Sequence, residues 1–455
     1  MMFAGNLIYR YKLTGYSQEA EPFKFSLVSL LGKFEMQHVI IGAGPAGVTA
    51  AEALRRLSPD CEITIIGDEP EPPYSRMALP YHLVNQVGES GTYLRKKENY
   101  FDDQRIDILQ DRVSSIDTAA KIVTLESGSE KAYDRLLIAT GSTAVKPPVE
   151  GIGLPGVHNC WTLADARSIL DRAKPGAKVL LMGAGFIGCI ILEALASRKV
   201  DLTVVEMEDR MVPRMMNQRS GGLIKSWCEN KGVRVLTSTR VTAIQQESDG
   251  RLSVRLGMNN TIEADLVICA TGVKPNTSFL NGSNIEIDNG IVVDRHLRTT
   301  AKDVFAAGDV AKGRDFSTGS YTVQAIQPTA VDHGRVAANN MVSELEVVHQ
   351  GSLNMNVLDT MGLVSGSFGH WEGVDGGDST ELFDGERYRY INLQFRGDVL
   401  VGANTLGLTQ HVGVLRGLIQ TGLHLGDKSK KILMNNPLKL MEVYLSATQG
   451  TTLNL

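Results

Sequence analysis

Cysteine is scarce in this 455-residue sequence: Cys61, Cys160, Cys189, Cys228 and Cys269 stand far apart along the chain. No C-x-x-C pair occurs, which argues against a zinc ribbon and against a thioredoxin-type disulfide; no metal site is expected. Isolated thiols of this kind read as buried and reduced, so a cytoplasmic location is expected. Long apolar runs are also missing. The most apolar stretch, 178–196, is broken by glycines and reads as a buried strand plus helix, not as an integral membrane segment. The first 35 residues lack a basic segment followed by a long apolar core, so they make a poor signal peptide. A second methionine, Met36, directly precedes an apolar strand, and residues 1–35 are expected to be a non-catalytic extension. Charge of one sign is not in excess either. The net charge of −5 gives no reason to expect nucleic acid or an acidic membrane as a partner.

What is present is glycine in a duplicated pattern, on a chain long enough for two to four domains. "HVIIGAGPAGVTAAEALRRL" reads as strand, tight turn and helix, with Gly42, Gly44 and Gly47 in the turn. "KVLLMGAGFIGCIILEALASR" repeats the plan with Gly183, Gly185 and Gly188. The first glycine permits the sharp turn, the second lets a pyrophosphate approach the backbone, and the third lets helix and strand pack closely. Free amides at each helix N-terminus then suit phosphate. One such fingerprint is weak evidence. Here each copy is followed by a second signal, "YDRLLIATG" ending in Ala139, Thr140 and Gly141, and "ADLVICATG" ending in Ala270, Thr271 and Gly272. A third signal, "TTAKDVFAAGDVA", places Gly308 and Asp309 after a short apolar strand, where an aspartate can accept bonds from sugar-like hydroxyls.

In order and spacing, these signals resemble the FAD- and NAD(P)-dependent pyridine nucleotide–disulfide oxidoreductase superfamily over about residues 36–345. Within it, "DEPEPPYSRMALP" is similar to ferredoxin and rubredoxin reductases and apoptosis-inducing factor, and the likeness extends to the flavoprotein portion of nitrite reductase large subunits. The resemblance implies an α/β fold with two Rossmann-like domains, one for FAD and one for NAD, and a C-terminal α+β interface domain. The implied FAD domain is split into segments 36–150 and 279–345. The implied NAD domain is 151–278, and the implied interface or dimerisation domain is 346–455.

It also implies site residues. The first fingerprint, with Pro45 and Ala46 between its glycines, holds the FAD pyrophosphate. Asp68 or Glu69 supplies an acid to the adenosine ribose, because Gly67 occupies the place where many relatives carry a glutamate. Arg76, Val113 and Arg167 match further FAD contacts, and Asp309 the ribitol contact. A helix starting near Pro328 aims Thr329 and Ala330 at the flavin, with Gln327 where several reductases carry tryptophan and His333 on the helix flank. The second fingerprint, with Phe186 and Ile187, holds NAD(P), and Gly272 follows it. Glu206 ends the next strand, 18 residues beyond Gly188. An acid there bonds a ribose hydroxyl and repels a 2′-phosphate, so NADH is favoured over NADPH.

The reaction centre departs from the pattern. Met77 aligns with the single cysteine of NADH oxidases, and a thioether forms no thiolate. Tyr81 and Ile190 align with a lysine and a glutamate that pair beside the nicotinamide in ferredoxin-type reductases. Losing one member of such a pair strands a charge, whereas losing both is coherent. Tyr81, Phe186 and Ile190 are therefore the reaction-centre candidates. Glu193, one helical turn beyond Ile190, is either a partial replacement acid or a structural one. In the C-terminal third, "YRYINLQF" and "LVGANTLG" read as strands and "HVGVLRGLIQTG" as a helix. "MNNPLKLMEVYL" reads as an amphipathic interface or core helix, and Trp371 as a partly buried residue or a flavin neighbour.

The expected activity is hydride transfer from NADH to FAD, then electron delivery to an external acceptor: an iron–sulfur protein, rubredoxin or a small molecule. The four-cysteine motif of nitrite reduction is absent. The alternative is an FAD- and NAD-binding interaction protein that responds to redox state with little turnover. A homodimer is expected.

Overall fold

The computed structural model describes residues 36–258, 260–342 and 346–449, so the expected N-terminal extension lies outside the described residues. Two five-stranded parallel sheets share one plan. In the first, Gln37–Ile41 is central, between Glu62–Gly67 and Arg135–Ile138, with Asp107–Gln110 and Val304–Ala306 at the edges. In the second, Lys178–Met182 is central, between Asp201–Val205 and Leu266–Cys269, with Arg234–Leu236 and Val157–Asn159 at the edges. Val39, Ile40, Leu180 and Leu181 in the central strands are fully buried, as parallel strands covered on both faces require. Each such aliphatic side chain contributes about 1.5–3 kcal/mol. Each sheet carries a three-stranded antiparallel meander: Val113–Asp117, Ile122–Leu125 and Glu130–Ala132 in the first, Val241–Gln246, Leu252–Leu256 and Asn260–Ala264 in the second.

One edge distinguishes the two. Val157–Asn159 precedes the rest of its sheet in sequence, whereas Val304–Ala306 follows the whole second sheet and returns to complete the first. The chain after that returning strand forms the helix Gln327–Val342, which packs on the first fingerprint helix, Pro45–Leu57. The contact is intimate because both surfaces are small: Ala50, Ala51 and Ala53 are buried, and a Cβ at Gly334 would lie 2.4 Å from the carbonyl oxygen of Ala46.

The C-terminal region is a five-stranded antiparallel sheet, ordered Met355–Thr360, Leu363–Gly369, Val399–Leu406, Arg389–Arg396 and Asp378–Asp384. The two strands expected from sequence are among these. The expected helix forms as Val412–Thr421 and stops at Gly422, whose φ of +59° suits glycine. The segment "MNNPLKLMEVYL" is not one helix. One helix ends at Asn435 and another starts at Leu440, because Pro437 between them cannot continue the hydrogen-bond ladder. This sheet is fastened to the second half through Asn217 Nδ2 to Tyr390 Oη (2.6 Å), Asn404 Nδ2 to Met215 O (2.9 Å) and Trp227 Nε1 to Met361 O (3.3 Å). Among the described residues, no helix is long and apolar enough to cross a membrane, and no group of three metal-ligating side chains converges.

Candidate active site

The two glycine loops carry the same constraints. Gly42 (φ +115°) and Gly183 (φ +98°) take backbone conformations that side chains rarely adopt. A Cβ there would lie 2.2 Å from Ala139 O and 2.5 Å from Ala270 O, so the A-T-G segments press on the turns. A Cβ at Gly47 would lie 2.0 Å from Gly42 O, and at Gly188 2.1 Å from Gly183 O. The middle glycines are different. Around Gly44 and Gly185 nothing lies within 4 Å of an added Cβ, and neither helix end has a side-chain cap.

The first helical hydrogen bonds run from Val48 N–H to Gly44 O and from Cys189 N–H to Gly185 O, both 3.0 Å. Among the described residues, the amides of Ala46, Gly47, Ile187 and Gly188 before them have no main-chain acceptor. Open space beside uncapped helix ends is what a pyrophosphate needs, and both loops fit a dinucleotide. Pro45 and Phe186 occupy the first helical position of each copy.

The A-T-G segments lock the crossings between halves. Thr140 Oγ1 donates to Asn276 O, and Asn276 Nδ2 returns to Thr140 O, both at 2.9 Å. In the second copy Thr271 Oγ1 donates to Val145 O (3.1 Å), and Val145 N–H to Gly272 O (2.9 Å). Gly141 (φ +63°) and Gly272 (φ +119°) each leave open space where a side chain would stand.

Around the first loop, Arg76 is the centre of a fixed cluster. Its Nη2 donates to Glu69 Oε1 (2.5 Å), and its Nη1 to Tyr74 Oη (2.8 Å) and Trp161 O (2.7 Å). Tyr74 in turn donates to Glu69, and burial pushes its hydroxyl above the usual range. Glu69 is thus committed to Arg76 and Tyr74, and of the two candidate ribose acids Asp68 is the more accessible, with an exposed ion pair to Arg112 (2.7 Å). Arg167 donates to Glu89 and Glu71, so it clamps the 71–89 loop. Val113 starts the first meander, buried opposite Leu125.

Asp309 is largely enclosed. It accepts a long hydrogen bond from Ser142 Oγ (3.4 Å), and burial raises its carboxyl above the usual range. Gly308 sits between Ala46 and Ala330, whose Cβ atoms would be 3.3 and 3.5 Å from an added Cβ. Thr329 and Ala330 are buried at the start of the helix Gln327–Val342, and Ala330 N–H donates to Ile326 O just before it. Gln327 is tied to the Arg76 segment by Ser75 Oγ to its Oε1 (2.6 Å). His333, read from the sequence as a helix-flank residue, is 4% exposed, and its Nδ1 accepts from Gly308 N–H at 3.3 Å.

In the second half, Glu206 is 6% exposed. Its two carboxylate oxygens accept from Ala184 N–H (2.7 Å) in the glycine loop and from Glu208 N–H (2.9 Å). Glu193 accepts from Met361 N–H (3.4 Å) in the turn between the first two strands of the C-terminal sheet, and burial raises its carboxyl. Phe186, Ile187 and Ile190 are half-buried against the second core. Tyr81, on the short helix Leu79–Leu83, is 56% exposed, and Met77 is 49% exposed. That short helix packs on the second fingerprint helix, and Arg198 Nη1 donates to Leu83 O (2.8 Å) between them. All five cysteines are buried and unpaired, and burial pushes the Cys160, Cys228 and Cys269 thiols up to about 12.

Asn276, Ser75, Ser142, Trp161 and His333 escape sequence reasoning as supports of the site. Each reaches its partner across 25 or more positions of the chain, and no local spacing signals that.

Residues 36–334 match the model for the pyridine nucleotide-disulphide oxidoreductase family. The chain belongs to this family. It is 31% identical over 400 residues to the ferredoxin–NAD(+) reductase component of the anthranilate 1,2-dioxygenase system from Burkholderia cepacia, covering 84% of this chain and 94% of that protein. It is 29% identical over 363 residues to the epsilon subunit of NADH-dependent phenylglyoxylate dehydrogenase from Aromatoleum evansii, covering 80% and 86%. In fold it matches putidaredoxin reductase, solved in covalent complex with putidaredoxin, at a TM-score of 0.82 and 22% identity, over 90% of this chain and 99% of that one. The chain is an FAD-dependent NADH oxidoreductase of α/β fold.

Proposed function

We propose that this oxidoreductase delivers the electrons of NADH to a separate small iron–sulfur protein. The observation that carries this reading is the pair of open glycine loops in a chain with Met77 at the position where the resemblance to NADH oxidases puts a thiol. With every cysteine of the chain buried elsewhere and held as thiol, electrons have no internal disulfide to enter. The likeness to a ferredoxin–NAD(+) reductase component over nearly its full length supports a protein acceptor.

FAD, when bound, supplies the exchange between a two-electron donor and a one-electron acceptor. Gly42, Gly44, Pro45, Ala46 and Gly47 would hold its pyrophosphate through main-chain amides. Asp68 would serve the adenosine ribose, Val113 the adenine side, and Asp309 and Arg76 the flavin side. Ala139, Thr140, Gly141, Gly308, Thr329 and Ala330 would complete that cradle, and Arg167 would keep its rim loop in place. Gly183, Gly185, Phe186, Ile187, Gly188 and Gly272 would hold NADH, with Phe186, Ile190 and Tyr81 around the nicotinamide. Glu206 would bond a ribose hydroxyl. A 2′-phosphate about 4 Å from its carboxylate would be opposed by up to about 4 kcal/mol at an intermediate dielectric, which favours NADH. The segments 36–150 and 279–345 are read as one FAD domain, 151–278 as the NAD domain, and 346–455 as the region that pairs two copies in a cytoplasmic homodimer.

The test is anaerobic stopped-flow reduction by NADH, followed by mixing with a [2Fe–2S] ferredoxin, a rubredoxin, a quinone or oxygen. Flavin bleaching and fastest reoxidation by the ferredoxin are expected. Fastest reoxidation by quinone or oxygen would replace the proposed acceptor. No bleaching by NADH or NADPH would favour the low-turnover interaction protein.

A further inference from the structure

Gly308 turns the chain from the returning edge strand toward Asp309, with a φ of +75°. Its amide is buried, and a buried amide needs an acceptor. The acceptor is no carbonyl but the Nδ1 of His333, 3.3 Å away on the helix Gln327–Val342. An imidazole nitrogen accepts only when it carries no proton, so this bond fixes both the charge and the tautomer of the ring. His349 packs against the ring in a T-shaped pair, at 4.5 Å between centroids and 88° between planes. Burial and the neighbouring His349 hold the His333 pKa down to about 3, so the ring is neutral at pH 7. Gly334, the next residue, is where this helix touches the carbonyl of Ala46 in the first glycine loop. One turn of one helix therefore fixes both the glycine loop and the aspartate turn.

We propose that His333 is a positioning residue for FAD: its neutral imidazole, protonated at Nε2, anchors the Gly308 amide and so aims the Asp309 carboxylate. The proposal rests on the assignment of FAD to the first loop. His349 acts behind it as a packing wall that keeps the ring in one orientation.

The substitutions that test this differ in where they place an acceptor. Asparagine carries its carbonyl oxygen near the position of Nδ1, glutamine carries it farther out, and leucine carries none. FAD affinity of the apo-protein is measured by fluorescence quenching, with circular dichroism to confirm that each variant folds. His333→Leu and His333→Gln are expected to weaken FAD binding about tenfold, the effect of leaving one buried amide without its partner. His333→Asn is expected to stay within about threefold of the wild type. In the wild-type holoenzyme, histidine-selective 15N NMR is expected to show a His333 ring protonated at Nε2 alone, assigned by its loss in His333→Asn.

Equal FAD affinity in all four proteins overturns the proposal, and so does equal weakening in all three variants, which would mark a packing role only. A His333 ring protonated at Nδ1 overturns it as well. A wild-type chain that binds no FAD overturns the cofactor assignment together with this proposal, whereas wild-type binding with indifferent variants overturns this proposal alone.

Discussion

The two halves of this chain carry the same order of four parallel strands, the same glycine turn and the same A-T-G brace, yet their fingerprint helices face different neighbours. Glu52 and Glu193 stand at the same helical position, ten residues after the first glycine of each copy. Glu52 holds Arg95 (2.5 Å) and Tyr100 (2.9 Å) within the first half, while Glu193 holds Met361 in the turn between the first two strands of the C-terminal sheet. The first glycine loop is covered by a helix that returns from residues 327–342, and the second half leans on the C-terminal sheet instead. The strand ends differ too: Gly67 stands where the second copy has Glu206, and its added Cβ would already be 3.1 Å from Ala43 Cβ. The repeated unit thus builds a generic phosphate cradle, and the segments outside the repeat decide what each cradle serves.

The sharpest way to break the comparison is to fill one cradle at a time. Gly44→Ala and Gly185→Ala add a Cβ into open space at permissive backbone angles, so both proteins are expected to fold with melting temperatures near that of the wild type. Gly44→Ala should lower FAD affinity on the order of a hundredfold, because the backbone no longer admits the pyrophosphate. Gly185→Ala should keep FAD and raise KM for NADH about tenfold or more. Flavin content and single-turnover reduction separate the two. Loss of flavin from Gly185→Ala, with Gly44→Ala unaffected, would reverse the assignment of the loops. Gly47→Ala serves as the contrast: its Cβ would strike Gly42 O, so it should cost about 1–3 kcal/mol of stability.

Acid sensitivity should reside mainly in the first half. His38 is buried in its central strand with both ring nitrogens unpartnered among the described residues, and burial, with Arg135 nearby, lowers its pKa to about 4. The equivalent position in the second half, four residues before the first glycine, is Val179. With a folded pKa below that of free histidine, the unfolded chain takes the extra proton first. Stability is full above about pH 6.5 and falls as pH drops toward 4, by about 3 kcal/mol from His38. His333 adds to the fall, and Asp309, whose raised carboxyl takes a proton more readily in the folded state, opposes it. Chemical denaturation between pH 7 and 4.5 should show the loss, and His38→Val should flatten it. An unchanged slope in His38→Val would place the acid sensitivity elsewhere.

These contrasts show what is legible in the sequence. The glycine spacings and A-T-G segments are short, contiguous patterns, so fold class and both loops can be read directly, although the clash that forces the first glycine of each loop comes from the distant A-T-G segment. The helix Gln327–Val342 is legible from Pro328, but its function as a cover for the first loop depends on Gly334 meeting Ala46, at the far end of the FAD-binding sequence. His333 reads as a flank residue because helical periodicity locates a face and not the neighbour that buries it. Glu69 reads as a ribose candidate from its place after a strand. Its commitment to Arg76 depends on how the 70–76 loop folds back, which spacing does not encode.

Glu206 is the next lever. Glu206→Ala removes the charge but also strips acceptors from the Ala184 and Glu208 amides, so it should cost about 1–3 kcal/mol of stability as well as relaxing coenzyme choice. Glu206→Gln keeps one carbonyl acceptor. It is expected to reduce the preference for NADH over NADPH about tenfold with a smaller loss of stability, as read from kcat/KM with each coenzyme. A preference unchanged in both variants would mean that Glu206 only braces the glycine loop.

The smallest effect is expected at the substituted reaction centre. Ile190 is half-buried against the second core, so Ile190→Glu should cost about 1–3 kcal/mol by desolvating a carboxylate. Tyr81 is more than half exposed, so Tyr81→Lys alone should change stability by less than about 0.5 kcal/mol. The short helix that carries Tyr81 packs on the helix that carries Ile190. A lysine on an exposed stem keeps most of its hydration, so the pair restored in the double variant should couple by no more than about 1 kcal/mol in thermal stability. NADH changes the expectation. If the seam between these helices closes over the nicotinamide, the same pair becomes shielded, and coupling measured on the rate of flavin reduction should exceed coupling measured on stability. Equal and negligible coupling in both would mean that Tyr81 and Ile190 never face each other, and that this half of the molecule exchanges hydride with no paired charge at either position.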